Sequence, residues 1–180
     1  MDIWKPFLKM QETQLTSSDY GHYLHTTQYF SPDNRWIVYD TRNDGAHIGR
    51  TCCIEVVNTL TKEIKQLYRT QGQTSFGPGV GGATFNPVTN TVLFIHGLQN
   101  CDFTRPYEFS RRTGVAVDMD YPGEPILMDA RDVVPPFTPG ALRGGTHAHT
   151  WSGDGKWISF TYNDALMAKM EKEGVENVKD

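Results

Sequence analysis

A motif that occurs three times constrains this chain more than any other feature of its sequence. Its clearest copy runs from Thr146 to Phe160, and weaker copies run from Thr26 to Tyr39 and from Gly82 to Phe94. In each copy two hydrophobic arms flank a short polar turn, Ser31-Pro32-Asp33-Asn34 in the first and Ser152-Gly153-Asp154-Gly155 in the last. Asp, Asn, Pro and Gly supply the backbone angles of a tight hairpin turn. All three copies register on one aromatic, Phe30, Phe85 or Trp151. These anchors lie about 55 and about 66 residues apart, the length of a four-stranded propeller blade with insertions.

The repeat predicts an all-β chain, a β-propeller of four-stranded blades that is incomplete over residues 1–180. Residues 15–70 form the first blade, with Leu24 to Phe30, Trp36 to Arg42, Cys52 to Asn58 and an alternating Glu63 to Tyr68 as strands. Glu12 to Thr16 reads as a further short strand. Residues 71–135 form a second blade with an insertion, and its strands include Thr91 to His96 and Tyr107 to Val117. Five proline residues between Tyr121 and Arg143 mark that stretch as a long crossing or an insertion. Residues 136–180 form an incomplete third blade, followed by one short helix that Asn163 or Asp164 caps and Gly174 ends. Leu166, Met167 and Met170 form the buried face expected of that helix. Closing a ring takes about 4 to 8 blades, and about two and a half are present. The remaining blades are expected from the rest of a longer chain or from an oligomer partner.

Charge and composition exclude some partners. The formal charge of −4, from 17 basic and 21 acidic residues, lacks the basic excess that phosphate binding leaves, so nucleic acid is not an expected partner. No apolar run is long enough for a membrane span, and residues 1–20 lack the apolar core of a signal peptide. The expectation is a soluble chain, cytoplasmic or periplasmic. Cys52, Cys53 and Cys101 show no metal-type spacing and read as buried thiols. The glycine-rich stretch from Gln71 to Gly82 lacks the Gly-Lys-Ser/Thr ending of a phosphate loop. It reads instead as backbone passing too close to its neighbours for side chains. No Gly-x-Ser-x-Gly elbow and no His-Glu-x-x-His are present, which leaves serine-hydrolase and zincin chemistry without local support.

The motifs Phe30-Ser31-Pro32-Asp33-Asn34-Arg35-Trp36 and Trp151-Ser152-Gly153-Asp154-Gly155-Lys156-Trp157 resemble the repeat of TolB-type propellers. More narrowly, Leu142 to His149, Ser159 to Asp164, Val92 to Gly97 and Pro136 to Gly140 resemble the uncharacterised YidR-like family of bacterial propeller proteins. That resemblance covers residues 15–180 and implies the N-terminal part of a propeller of roughly double the length, without supplying an activity. A more distant architectural resemblance is to oligogalacturonate lyase, a propeller in which histidines and a glutamine at inner-strand ends hold a divalent metal. Its paired His-x-His is matched by His147 and His149.

A strand alternates its side chains, so His147 and His149 are expected on one face of an inner strand that lines an axial channel. His149 then occupies the repeat position of Gln28, with His25 one place outside that of His147. Two roles fit the pair. The rings hydrogen-bond across the channel or hold ordered water, or they ligate a divalent metal, Mn or Zn, with His25 or Gln28 from a neighbouring blade. A lyase would also need a base and a cation for the charge of its substrate. Arg143 is the candidate cation, with a structural clamp on Asp164 as its other reading, and no residue identifies the base. His22, His47 and His96 read as loop or strand-surface histidines. The expected function is therefore a binding module that takes a small molecule, a glycan or a protein at the channel mouth. The alternative is a metal-dependent polysaccharide lyase that uses His147 and His149.

Overall fold

The computed structural model describes residues 11–24, 28–129 and 132–175. The turn motifs form as their chemistry dictates. Ser31 Oγ donates to Asp33 Oδ1 at 2.6 Å and accepts from the Trp36 amide at 3.0 Å, while the Arg35 amide donates to Asp33. Ser152, Asp154, Lys156 and Trp157 repeat the same bonds, with 2.6 Å and 3.0 Å at the corresponding places. In the middle copy Asn86 Oδ1 accepts from the amides of Val88 and Thr89. Asn86 Nδ2 then donates to the carbonyl of Gly155, which ties the middle turn to the last.

Among the described residues the strands form three consecutive antiparallel sheets, and the fold is all-β with one short helix near its C-terminal end. The first sheet has the order β1 (Trp36–Asp40), β2 (Cys53–Asn58), β3 (Ile64–Arg69). The middle sheet runs β4 (Val80–Phe85), β5 (Thr91–Gly97), β6 (Arg112–Asp118), β7 (Ile126–Leu127). The last is the hairpin of β8 (Thr146–Trp151) and β9 (Ile158–Tyr162), after which α1 (Ala165–Lys172) follows. One apolar core joins the first two sheets. Val38, Ile54, Val56, Leu67 and Tyr68 on one side meet Val80, Phe85, Val92, Phe94, Val115 and Val117 on the other. Strands β2 and β4 are buried along their whole length, as sheets covered on both faces require.

Several expectations are corrected. The stretch Glu12 to Thr16 forms no strand. Among the described residues, the stretch ahead of β1 meets it at isolated bridges of Tyr23 and Phe30 and at the Tyr29 carbonyl rather than as a continuous strand, and Gln28 takes a left-handed φ of 63° there. The third strand of the middle sheet begins at Arg112 rather than Tyr107, so residues 98–111 are a loop. Part of the proline-rich stretch serves as β7, the outer strand of that sheet. Strand β3 does not alternate, because the β2–β3 register shifts at Ile54/Glu55 and buries Leu67 and Tyr68 together. Helix α1 is capped by Asp164, whose side chain accepts from the Met167 amide, but no helix residue is buried and Leu166 is exposed. Of the three cysteines, all free, only Cys53 is buried; Cys52 and Cys101 are partly exposed. His96 lies in the core, 1% exposed, with Nε2 3.0 Å from the Tyr68 hydroxyl. His47 is exposed and His22 half-buried.

The expected crowding at the glycine-rich stretch is present. A Cβ on Gly79 would lie 2.1 Å from the carbonyl oxygen of Ile48, and its φ of 72° is one that L side chains rarely adopt. This close approach lets β4 run against the short 3-10 turn at Ile48–Arg50, which belongs to the loop after β1.

Candidate functional site

The two histidines of β8 do not share a face. Ala148, between them, has a left-handed φ of 55°, and the β8–β9 register shifts between His147 and Thr150. This bulge rotates the strand by one position: His149 is buried while His147 stays half-buried. Strand β4 carries an equivalent irregularity, with Gly82 at φ 68° and a register shift between Gly81 and Thr84. Gly82 and Ala148 each stand three residues before their anchoring aromatic. The bulge is thus a repeated device, built once with glycine and once, against the steric preference of an L residue, with alanine.

Below the bulge lies a buried polar centre. Asp129, 5% exposed, follows β7 and gathers hydrogen-bond donors from β6 and β8. Its Oδ2 accepts from the Gly114 amide at 2.8 Å, from Thr146 Oγ1 at 2.5 Å and from His149 Nε2 at 2.7 Å, and its Oδ1 accepts from Thr113 Oγ1. Burial alone would raise the pKa of this carboxyl. The donors on His149, Thr113 and Thr146 outweigh it and hold Asp129 below the ordinary carboxylate value. Gly114 leaves room for the ring, since a Cβ there would fall 2.8 Å from His149 Nε2.

These contacts orient both imidazole rings. His149 gives its Nε2–H to the carboxylate, and its Nδ1 is buried with no hydrogen-bond partner. His147 Nδ1 lies 3.1 Å from the carbonyl oxygen of Gly145 and must be the donor there, which leaves Nε2 as its acceptor. Desolvation lowers the pKa of His147, and the positive charge of Arg112 lowers it further. Its ring stands edge-on to Phe109, with centroids 4.1 Å apart. The neutral His147 ring therefore presents Nε2 as an acceptor, the state a metal or a proton donor requires.

The other expected residues fall elsewhere. Arg143 is held by Asp164, with Nε 2.5 Å from Oδ2, and Tyr162 donates to the same oxygen at 2.7 Å. This is the structural clamp. Burial works against ionisation of Asp164, and the Met167 amide, Tyr162 and Arg143 together hold its pKa below the ordinary value. Gln28 lies against β4, where its carbonyl accepts from the Phe85 amide at 2.8 Å. His25 lies outside the described residues. Among the described residues no three His, Cys, Asp or Glu side chains converge as a metal site would require.

Sequence reasoning missed Asp129, Arg112, Tyr107 and Phe109. Asp129 sits in the proline-rich stretch, 20 positions from His149, with no periodicity to link them. The Arg111-Arg112 pair ahead of the apolar run Val115-Ala116-Val117 was the one available signal for a basic strand end.

The sequence profile of the family described as "Protein of unknown function (DUF3748)" matches residues 79–180. A protein of Escherichia coli (strain K12) named "Uncharacterized protein YidR" is 41% identical over 159 residues, which is 88% of this chain. The chain spans 36% of the length of that relative.

Proposed function

Because this chain belongs to the family described as protein of unknown function DUF3748, we propose its role from its own geometry: it forms part of a TolB-like propeller that binds a ligand at its channel mouth. The repeated turns and the recurring inner-strand bulge support the propeller architecture, and the shared length with a larger relative supports blades beyond these three. The observation that carries the binding reading is His149, locked on Asp129 with Nδ1 buried and unpartnered. A buried polar atom without a partner costs about 1–3 kcal/mol, and a site that binds something there recovers that cost. The ligand class is a small molecule, a glycan or a protein segment that donates to one imidazole of the pair.

The direct test is thermal denaturation of the full chain with a panel of sugars, small organic acids and divalent metals, repeated on His147→Ala and His149→Gln. A ligand of this mouth raises the melting temperature of the parent and not of the variants. Equal shifts in all three would overturn the reading.

A second reading, a metal-dependent polysaccharide lyase, is favoured by one specific observation. A carboxylate that orients one imidazole nitrogen and frees the other is the usual outer shell of a metal-bound histidine. His149 Nδ1 and His147 Nε2 are the donors that fit Mn or Zn, with further ligands from His25 or from other blades. Such a metal would stabilise negative charge developing on a uronate carboxylate. Elemental analysis decides this reading. About one equivalent of metal, lost in His147→Ala/His149→Ala, together with ultraviolet-absorbing unsaturated products, supports it. No metal in a folded, metal-supplied protein overturns it.

A further inference from the structure

The charges around this mouth do not balance. Asp40 is matched by Arg42, whose Nε and Nη2 lie 2.6 and 2.9 Å from its two carboxylate oxygens. Asp164 is matched by Arg143. Asp129 is satisfied by His149, Thr113, Thr146 and the Gly114 amide. Arg112, half-buried at the start of β6, meets no carboxylate among the described residues, and its Nε is buried without a hydrogen-bond partner. Its guanidinium instead lies over two aromatic rings, 4.0 Å from the centroid of Phe109 and 5.2 Å from that of Tyr107.

The main-chain carbonyl of Arg112 accepts from the Gly145 amide at 2.7 Å, which places the residue at the root of β8, beside His147. Burial pushes the Tyr107 phenol up to about 12, with the charge of Arg112 and a hydrogen bond from it acting in the opposite sense, so the phenol stays protonated. His147, kept neutral, adds no competing positive charge. An uncompensated guanidinium that is partly removed from water is costly, and a bound anion offsets the cost. Stacking on Phe109 and Tyr107 fixes the plane of the guanidinium, which suits the planar, two-oxygen fork of a carboxylate better than a tetrahedral anion.

We infer that Arg112, stacked on Phe109 and Tyr107 beside His147, is the anion-recognition residue of this mouth and selects a small ligand that carries a carboxylate. The inference rests on the binding-module reading and names its ligand class. Arg112 supplies the bidentate contact, and the exposed ring of Phe109, with the imidazole of His147, supplies a flat surface for the body of the ligand. Arg143, the cation expected from the sequence, cannot serve here because Asp164 already holds it.

The test is isothermal titration calorimetry on the full chain, with acetate, benzoate and glucuronate as carboxylate probes, glucose as the neutral counterpart of glucuronate, and inorganic phosphate as the tetrahedral anion. At least one carboxylate should bind, more tightly than phosphate, and more weakly as salt is raised. Arg112→Gln should weaken that binding by about tenfold or more, Arg112→Lys should retain part of it, and Phe109→Ala should weaken it severalfold. Arg105→Gln, the same charge change in the adjoining loop but at an exposed pair with Asp102, should leave it unchanged. Circular dichroism identifies variants that are folded, and Arg112→Lys carries the comparison should Arg112→Gln fail to fold. Carboxylate binding that survives in folded Arg112→Gln, tighter binding of phosphate, or no binding of any carboxylate would each overturn the inference. Glucose binding that depends on His149 and not on Arg112 would also overturn it, yet leave the binding-module reading in place.

Discussion

The first two sheets and the last hairpin are held by different physics. Strands β1 to β6 close over a shared apolar core in which Phe85, Phe94, Val38 and Val56 are fully enclosed. In the hairpin β8–β9 only Thr146 and His149 are buried, and Trp157 at its turn is 74% exposed. Its anchors are polar: Thr146 and His149 on Asp129, and Arg143 and Tyr162 on Asp164. Apolar packing is tolerant of direction, whereas hydrogen bonds fix angles. The part of the chain that carries the candidate site is therefore the part positioned by directional bonds, and the rest serves as its rigid support.

The largest effects should separate these two regimes. Phe94→Ala removes a fully buried ring from the shared core and should cost about 3–5 kcal/mol, read by chemical denaturation. Asp129→Ala strands the donors of Thr113, Gly114, Thr146 and His149 and should cost about 3 kcal/mol or more. The two should differ in where they act. Amide hydrogen exchange in Asp129→Ala should accelerate first in β8 and β9, and in Phe94→Ala across β1 to β6. Equal acceleration everywhere in both variants would mean that one cooperative core holds all three sheets.

Arg143→Ala breaks a part-exposed clamp and should cost less, about 1–2 kcal/mol, with loss of order at the start of α1 as its nuclear magnetic resonance signature.

Acid should then sharpen the contrast. His96 and His147 have pKa values lowered by burial, so between those values and about 6.5 the unfolded chain binds more protons than the folded one. Stability should therefore fall as pH drops through about 6.5, and His96→Gln should flatten that slope. Asp129 and Asp164 act in a lower window. Their folded values lie below those of the unfolded chain, so their stabilisation is present above about 3.8 and is lost as pH falls through the folded values.

The smallest effect should be a gain. Ala148→Gly relieves the left-handed backbone of the bulge and should stabilise by up to about 1 kcal/mol, without changing the positions of His147 and His149.

What the sequence disclosed and what it hid follow the same division. The Ser-x-Asp turns, the Asp164 cap and the Gly174 stop were legible because each is a contact between residues a few positions apart. The strands of the first two sheets were legible because β-branched and apolar runs leave few alternatives. The facing of His147 and His149 was not, because period-two reasoning assumes an unbroken strand and Ala148 does not look like a bulge residue. The burial of His96 was missed because its partner, Tyr68, comes from a different sheet. Asp129 was hidden for the same reason: its partners are assembled only by the packing of β6 and β7 against β8.

Asp129 orients His149 so that Nδ1 faces a ligand, and nitrogen-15 magnetic resonance of the histidine rings reads this arrangement. His149 should carry a proton on Nε2, with an Nδ1 resonance that moves when zinc or a carboxylate ligand is added. A His149 ring with its proton on Nδ1, or an Nδ1 resonance that no added metal, sugar or acid moves, would contradict it and make the pair a purely structural anchor of the last hairpin.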